Sequence, residues 1–210
     1  MLLLGADEAG KGPVVGSMFV AGLVIDEERL FDLAALGVKD SKQLPPAKRE
    51  VLARKINGIA ADQYILEVTP RVIDELRRVM TMNDIMVQSY AQVVAKLRAD
   101  RAVLDAADVD ASRFAERVRS ASKTTMDLTA EHRADERNKV VSAASILAKV
   151  RRDASVRELE RSLGCTIGSG YPHDADTIEF LSRWVREKGE LPLCARHSWA
   201  TAQRIKASFI

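Results

Sequence analysis

The apolar run that opens the chain stops at Asp7, and a longer apolar stretch follows from Val14 to Ile25, interrupted by Gly16 and Gly22. Short apolar runs bounded by turn residues predict buried strands. Gly10-Lys11-Gly12-Pro13 supplies a turn, so residues 2–7 and 14–25 are expected to form a hairpin. Beyond Ile25 the period lengthens, predicting helices over 27–36 and 46–56, stopped by Gly37 and by Asn57-Gly58, where a left-handed cap would sit. Residues 63–68 are a third strand, followed by helices from about 70 to 80 and 83 to 98. The apolar Ala102-Val-Leu-Asp105 is a fourth strand, 110–120 a helix, 124–131 a fifth strand and 138–163 a long helix. Past residue 163 strands disappear: the glycine-rich GCTIGSGYP leads into helical segments around 178–187 and 199–207. Strands grouped early, then two strand–helix pairs, predict an α/β protein with a mixed five-stranded central sheet and helices on both faces. Residues 1–163 would form the main domain and 164–210 a small helical C-terminal subdomain.

Composition narrows the class. A chain of 210 residues, 47% apolar and 30% charged, can bury one sizeable core. No apolar run approaches the roughly 18 residues of a spanning helix, and the opening run breaks in acids too early for a signal peptide, so a cytoplasmic protein without membrane contact is expected. Cys165 and Cys194 lack metal or redox spacing and read as reduced, space-filling thiols. A net charge of +2 permits nucleic-acid binding without arguing for it. The bases gather in PPAKREVLARK, KVRRDASVRELER and ARHSWATAQRIK, which equally suit solvated helix faces.

Candidate chemistry lies at strand ends. Asp7 closes the first apolar strand, Asp105 closes the fourth, and Asp135 lies just past the fifth; ligands in open α/β sheets bind beyond such ends. Converging carboxylates repel unless a cation joins them, and oxygen-only ligands select hard ions such as Mg²⁺ or Mn²⁺. Consecutive strand residues face opposite ways, so Glu8 shares a site with Asp7 only if the strand bends or bulges between them. An acid pair alone decides nothing, since the chain holds five adjacent acid pairs. Each acid could instead cap a helix or serve a turn, and His132 could be a ligand, a proton shuttle or a structural group.

Gly10-Lys11-Gly12 matches neither a P-loop nor a dinucleotide fingerprint, which counts against a nucleotide phosphotransferase, yet its glycines let backbone amides approach a ligand. Asp40-Ser41-Lys42 offers groups suited to phosphate, and Tyr171 in Gly168-Ser-Gly-Tyr-Pro172 a ring that could stack on a base or sugar, or pack on its own domain. Trp184 and Trp199 read as core.

DEAGKGPVVG, KDSKQL with PPAKRE, VLDAADVDASRF, the stretch from Asp135 through SAASILAK, and GSGYP occur in this order over nearly the whole chain. Together they resemble ribonuclease HII (type 2 ribonuclease H) in its archaeal form. The resemblance implies a ribonuclease H-like fold with a catalytic domain at 1–163 and a substrate-binding extension at 164–210. It implies a divalent-metal-dependent endonuclease that cuts the RNA strand of RNA/DNA hybrids, and cuts 5′ of ribonucleotides embedded in duplex DNA, leaving 3′-hydroxyl and 5′-phosphate ends. By the same resemblance Asp7, Glu8, Asp105 and Asp135 hold two Mg²⁺ or Mn²⁺ ions and are catalytic. Gly10, Lys11 and Gly12 then read the ribose 2′-hydroxyl through the backbone, Lys42 contacts phosphate and Tyr171 meets the RNA–DNA junction. Lysine stands where bacterial members commonly carry arginine. The partners implied are RNA/DNA hybrid and ribonucleotide-containing duplex DNA, bound by a monomer. A noncatalytic duplex-binding module on the same fold, its acids serving as caps, is the alternative.

Overall fold

A computed structural model describes residues 1–38 and 45–209, which contain a five-stranded sheet in the order β3-β2-β1-β4-β5. The strands are β1 (Leu2–Ala9), β2 (Met18–Asp26), β3 (Asp62–Val68), β4 (Arg101–Asp105) and β5 (Asp127–Glu131). β1 pairs antiparallel with β2 and parallel with β4, which pairs parallel with β5, so the sheet is mixed as expected. The helices are α1 (Leu30–Ala35), α2 (Pro46–Ile59), α3 (Pro70–Leu76), α4 (Met82–Lys96), α5 (Ala111–Ser122), α6 (Ala134–Arg137), α7 (Lys139–Leu163), α8 (Ala175–Lys188) and α9 (Ala200–Ala207). The chain divides into two compact units. The first holds Met1–Ala9, Phe19–Leu66 and Met82–Arg151, the second Gly10–Met18, Glu67–Thr81 and Arg152–Ile210.

In the first unit β1 is central, and the alternation of its side chains decides what lies on each face. Leu3, Gly5 and Asp7 stand opposite Ile25, Leu23 and Ala21 of β2. That face is covered by α7: a Cβ added to Gly5 would come within 2.5 Å of the Val140 carbonyl carbon, so only glycine lets the helix backbone rest on the strand. Leu23 and Ile25 share an apolar cluster with Val140, Ala143, Ala144 and Leu147 of α7. The other face, Leu4, Ala6 and Glu8 opposite Val24, Gly22 and Val20, is covered by α4: its Val93, and Leu97 just past its end, would lie 2.5 and 2.6 Å from a Cβ on Gly22. Helices therefore lie on both faces, as predicted.

The second unit packs α8 and α9 around Val14, Val15, Ile167, Phe180, Leu181 and Val185. α8 is capped by Asp174, whose carboxylate accepts the Asp176 N–H at 3.1 Å, and at its other end by Gly189 with φ +75°. Trp184 packs against this cluster, as expected of a core residue.

Two local expectations are corrected. The predicted hairpin strand at Val14 begins only at Met18, because residues 14–16 are engaged elsewhere: Val14 and Val15 N–H donate to Gly170 O at 2.7 and 3.1 Å, and Gly16 N–H to Cys194 O at 2.8 Å. α2 does not stop at Asn57-Gly58 but runs on to Ile59, since Ile59 and Ala60 pack on the core cluster and Ala60 N–H still reaches Ile56 O. Tertiary packing outweighs the local breaker. Among the described residues no helix is long and apolar enough to cross a membrane.

Candidate active site

Register explains how remote acids meet. Ala6 of β1 pairs with Leu104 of β4 in a parallel ladder, so Asp7 and Asp105, each one residue further on, leave neighbouring strands at the same rim of the sheet. One carboxylate oxygen from each of Asp7, Glu8 and Asp105 lies within 4.8 Å of the others. Asp135 is not among these three. It stands on α6, close enough that its charge acts on Asp105 and its N–H bonds the Asp105 carboxylate.

The strand between Asp7 and Glu8 has no bulge. The β1–β2 register runs unbroken through Asp7↔Ala21, Glu8↔Val20 and Ala9↔Phe19, so the two side chains do leave opposite faces. Their carboxylates meet because the ladder to β4 has ended: Asp7 Oδ1 turns back along the open rim to accept the Glu8 N–H at 2.7 Å. Each acid is then held from its own face. Asp7 is hydrogen-bonded by Ser145 of α7, and Ser145 in turn accepts from Lys149 Nζ at 2.8 Å. Glu8 accepts the phenolic O–H of Tyr90 on α4, a fully buried residue braced edge-on against Phe114 at 5.1 Å between ring centroids. Asp105 accepts the Ala134 N–H at 2.7 Å, made available by the left-handed turn at Arg133, φ +56°. Ser142 Oγ donates to the Asp135 carbonyl, tying α6 to α7.

This arrangement is electrostatically uncomfortable without a cation. Burial, then the Glu8 charge, holds the Asp7 carboxyl well above the ordinary carboxylate range. Burial likewise raises Asp105 to about 6, with Glu8 and Asp135 adding to the shift and the Ala134 N–H opposing it. Tyr90 is pushed up by burial and by the same acids, so it stays a proton donor to Glu8. A rim of oxygen ligands held in place by hydrogen bonds, with Asp7 and Asp105 binding protons more tightly than ordinary carboxylates, fits a hard divalent cation. Asp105 does serve a helix end, as a cap would, but Asp7 lies inside a strand and caps nothing.

His132 is exposed and its Nε2–H donates to Val109 O at 3.2 Å, away from the three acids. In the second unit Gly10 has φ +86°, and a Cβ there would sit 2.9 Å from Ser17 O. Tyr171 is half-buried, its Cε1 3.5 Å from where a Cβ on Gly12 would be, with the Arg152 guanidinium 5.5 Å from its ring centroid. Lys42, with Asp40 and Ser41, lies outside the described residues. The sequence pointed to none of Tyr90, Ser145 and Lys149; only the i, i+4 spacing of Ser145 and Lys149 inside SAASILAK hinted that one helix face carries polar partners.

Comparison with known proteins agrees with this geometry. The family model described as Ribonuclease HII matches residues 4–202. The Ribonuclease HII of Methanothrix thermoacetophila is 60% identical over 210 residues, spanning 100% of both chains. Among solved structures, the ribonuclease H2 from Pyrococcus horikoshii OT3 superposes with a TM-score of 0.94 at 40% identity, covering 100% of this chain and 99% of that one. A structure of the PCNA:RNase HII complex from Archaeoglobus fulgidus gives a TM-score of 0.87 at 38% identity, with 95% of each chain covered.

Proposed function

The chain belongs to the ribonuclease HII family and is an RNA/DNA-hybrid endonuclease with a ribonuclease H-like fold; on that premise we propose that Asp7, Glu8, Asp105 and Asp135 are its catalytic, metal-holding acids. The observation that carries this reading is the meeting of three carboxylates, from the ends of two parallel strands, within 4.8 Å. A noncatalytic duplex-binding role finds no support in the family or in the buried, strand-borne Asp7.

Bound there, two Mg²⁺ or Mn²⁺ ions would supply an activated water and charge stabilisation for the leaving 3′ oxygen in an in-line phosphodiester hydrolysis. The protein's own part is preorganisation. Ser145 and the Glu8 amide fix Asp7, Tyr90 fixes Glu8, and the start of α6 fixes Asp105, so the ligand oxygens need not reorganise when a cation arrives. Gly10, Lys11 and Gly12 would meet the ribose 2′-hydroxyl through backbone amides, Tyr171 would stack at the RNA–DNA junction, and Lys42 would contact phosphate. Cutting 5′ of an embedded ribonucleotide would leave 3′-hydroxyl and 5′-phosphate ends. The catalytic acids all fall within 1–163 and Tyr171 in the 164–210 extension. The protein would act as a cytoplasmic monomer, which light scattering on the purified chain would check.

The test is a labelled duplex carrying one ribonucleotide, incubated with and without Mg²⁺. Cleavage is expected only with the cation, only at the ribonucleotide, and not in Asp7→Asn or Asp105→Asn. Full activity in either variant would remove that residue from the site, and cleavage without added cation under chelation would remove the metal.

A further inference from the structure

Arg196 is a large, fully buried side chain that the proposed chemistry does not use. Its guanidinium partners are backbone carbonyls, all more than 170 positions away: Nε donates to Gly16 O at 3.0 Å, Nη1 to Lys11 O at 2.8 Å and Nη2 to Gly10 O at 2.6 Å. The indole Nε1–H of Trp199 donates to Gly12 O at 3.2 Å, and the guanidinium carbon lies 4.9 Å from the Trp199 ring centroid. Trp199, read from the sequence as core, thus carries a polar task as well. The carbonyls of Gly10, Lys11 and Gly12 are consequently all turned toward one pair of side chains.

A trans peptide sets its N–H opposite its C=O. With the Gly10 and Lys11 carbonyls turned to Arg196, the amides of Lys11 and Gly12 must point away from it; the next peptide leads into Pro13, which has no N–H to present. Burial, and then the nearby Arg152 charge, lowers the Arg196 pKa to about 10, so it remains cationic at neutral pH. Bonded to the carbonyl ends of these peptides, the cation polarises their amides toward an incoming oxygen.

We infer that Arg196 and Trp199 are positioning residues that hold the Gly10–Gly12 turn with two amides outward and so set the preference for ribose over deoxyribose, an inference resting on the reading of that turn given above. Neither side chain would touch the substrate; both act through the turn.

Steady-state cleavage of a duplex bearing one ribonucleotide, against the same duplex with 2′-deoxyribose there, measures the preference directly. Trp199→Phe keeps a ring and deletes one hydrogen bond, and should narrow the ratio of kcat/KM values by about fivefold; Arg196→Lys loses the fork and should narrow it by about tenfold or more. In both variants the rise in melting temperature caused by Mn²⁺ should match that of the parent, because the acids are untouched. If Arg196→Lys does not fold, Trp199→Phe decides. A preference within twofold of the parent in the folded variants overturns the inference. Gly10→Ala, whose φ of +86° and 2.9 Å contact would force the turn out of shape, separates the two claims. If it collapses the preference while Arg196→Lys and Trp199→Phe keep it, only the clamp fails; if it leaves the preference intact, the turn is not the reader and the clamp falls with it.

Discussion

At the scale of single residues, the acids are held at a cost that a cation would relieve. Asp105 carries a carboxyl raised from 3.8 to about 6, and burial raises Asp7 in the same direction. A folded state that binds protons more tightly than the unfolded chain loses stability as pH rises from the unfolded value to the folded one. The cation-free protein should therefore be most stable below about pH 4 as far as Asp105 is concerned, weaken toward about pH 6, and level off above. Mg²⁺ or Mn²⁺ competes with those protons, so the cation-induced rise in melting temperature should be small near pH 5 and grow toward about pH 7.5. Differential scanning fluorimetry across that range checks the sign. Asp105→Asn should raise the melting temperature of the cation-free protein at neutral pH, by about 2–4 °C for each kcal/mol of relieved repulsion, while abolishing the response to cation. Tyr90→Phe removes the phenolic donor on Glu8 and should weaken Mn²⁺ binding by about tenfold, read by calorimetry, with the fold intact.

At the scale of elements, two glycines in different surroundings predict opposite outcomes. Gly5→Ala would drive a methyl into the Val140–Val141 backbone at 2.5 Å and should cost about 1–3 kcal/mol or more, lowering the denaturation midpoint. Gly58→Ala sits inside α2 with nothing within 4 Å and should stabilise by about 0.5–1 kcal/mol. The same elements show what the sequence made legible. Asp7 and Asp105 could be read as partners because each closes an apolar strand, and ligands in open α/β sheets gather beyond such ends; the parallel pairing of β1 with β4 then puts both at one rim. The meeting of Asp7 with Glu8 could not, because it depends on where the β1–β4 ladder stops, a property of pairing rather than of either strand. Arg196 was hidden for a similar reason: its partners are carbonyls some 180 residues upstream, which carry no side-chain signature. Residues 14–16 looked like strand because they are apolar, and they are buried, but against Gly170 and Cys194 instead of β1.

At the scale of the whole molecule, a net charge of +2 is too small to explain tight binding to a polyanion, so affinity must come from a localised set of bases. Binding to a catalytically inactive Asp7→Asn chain should fall steeply between about 50 and 200 mM salt, by a factor of ten or more for every few phosphates contacted. Fluorescence anisotropy with a hybrid duplex would measure the slope, and a flat response would remove Lys42 as a phosphate contact. Trp184 and Trp199 both belong to the second unit, while Tyr90 reports from the first. Emission excited at the red edge of indole absorption is accordingly a one-sided probe. Compared with backbone dichroism on a single heating ramp, it would reveal whether the molecule melts in one step or in two.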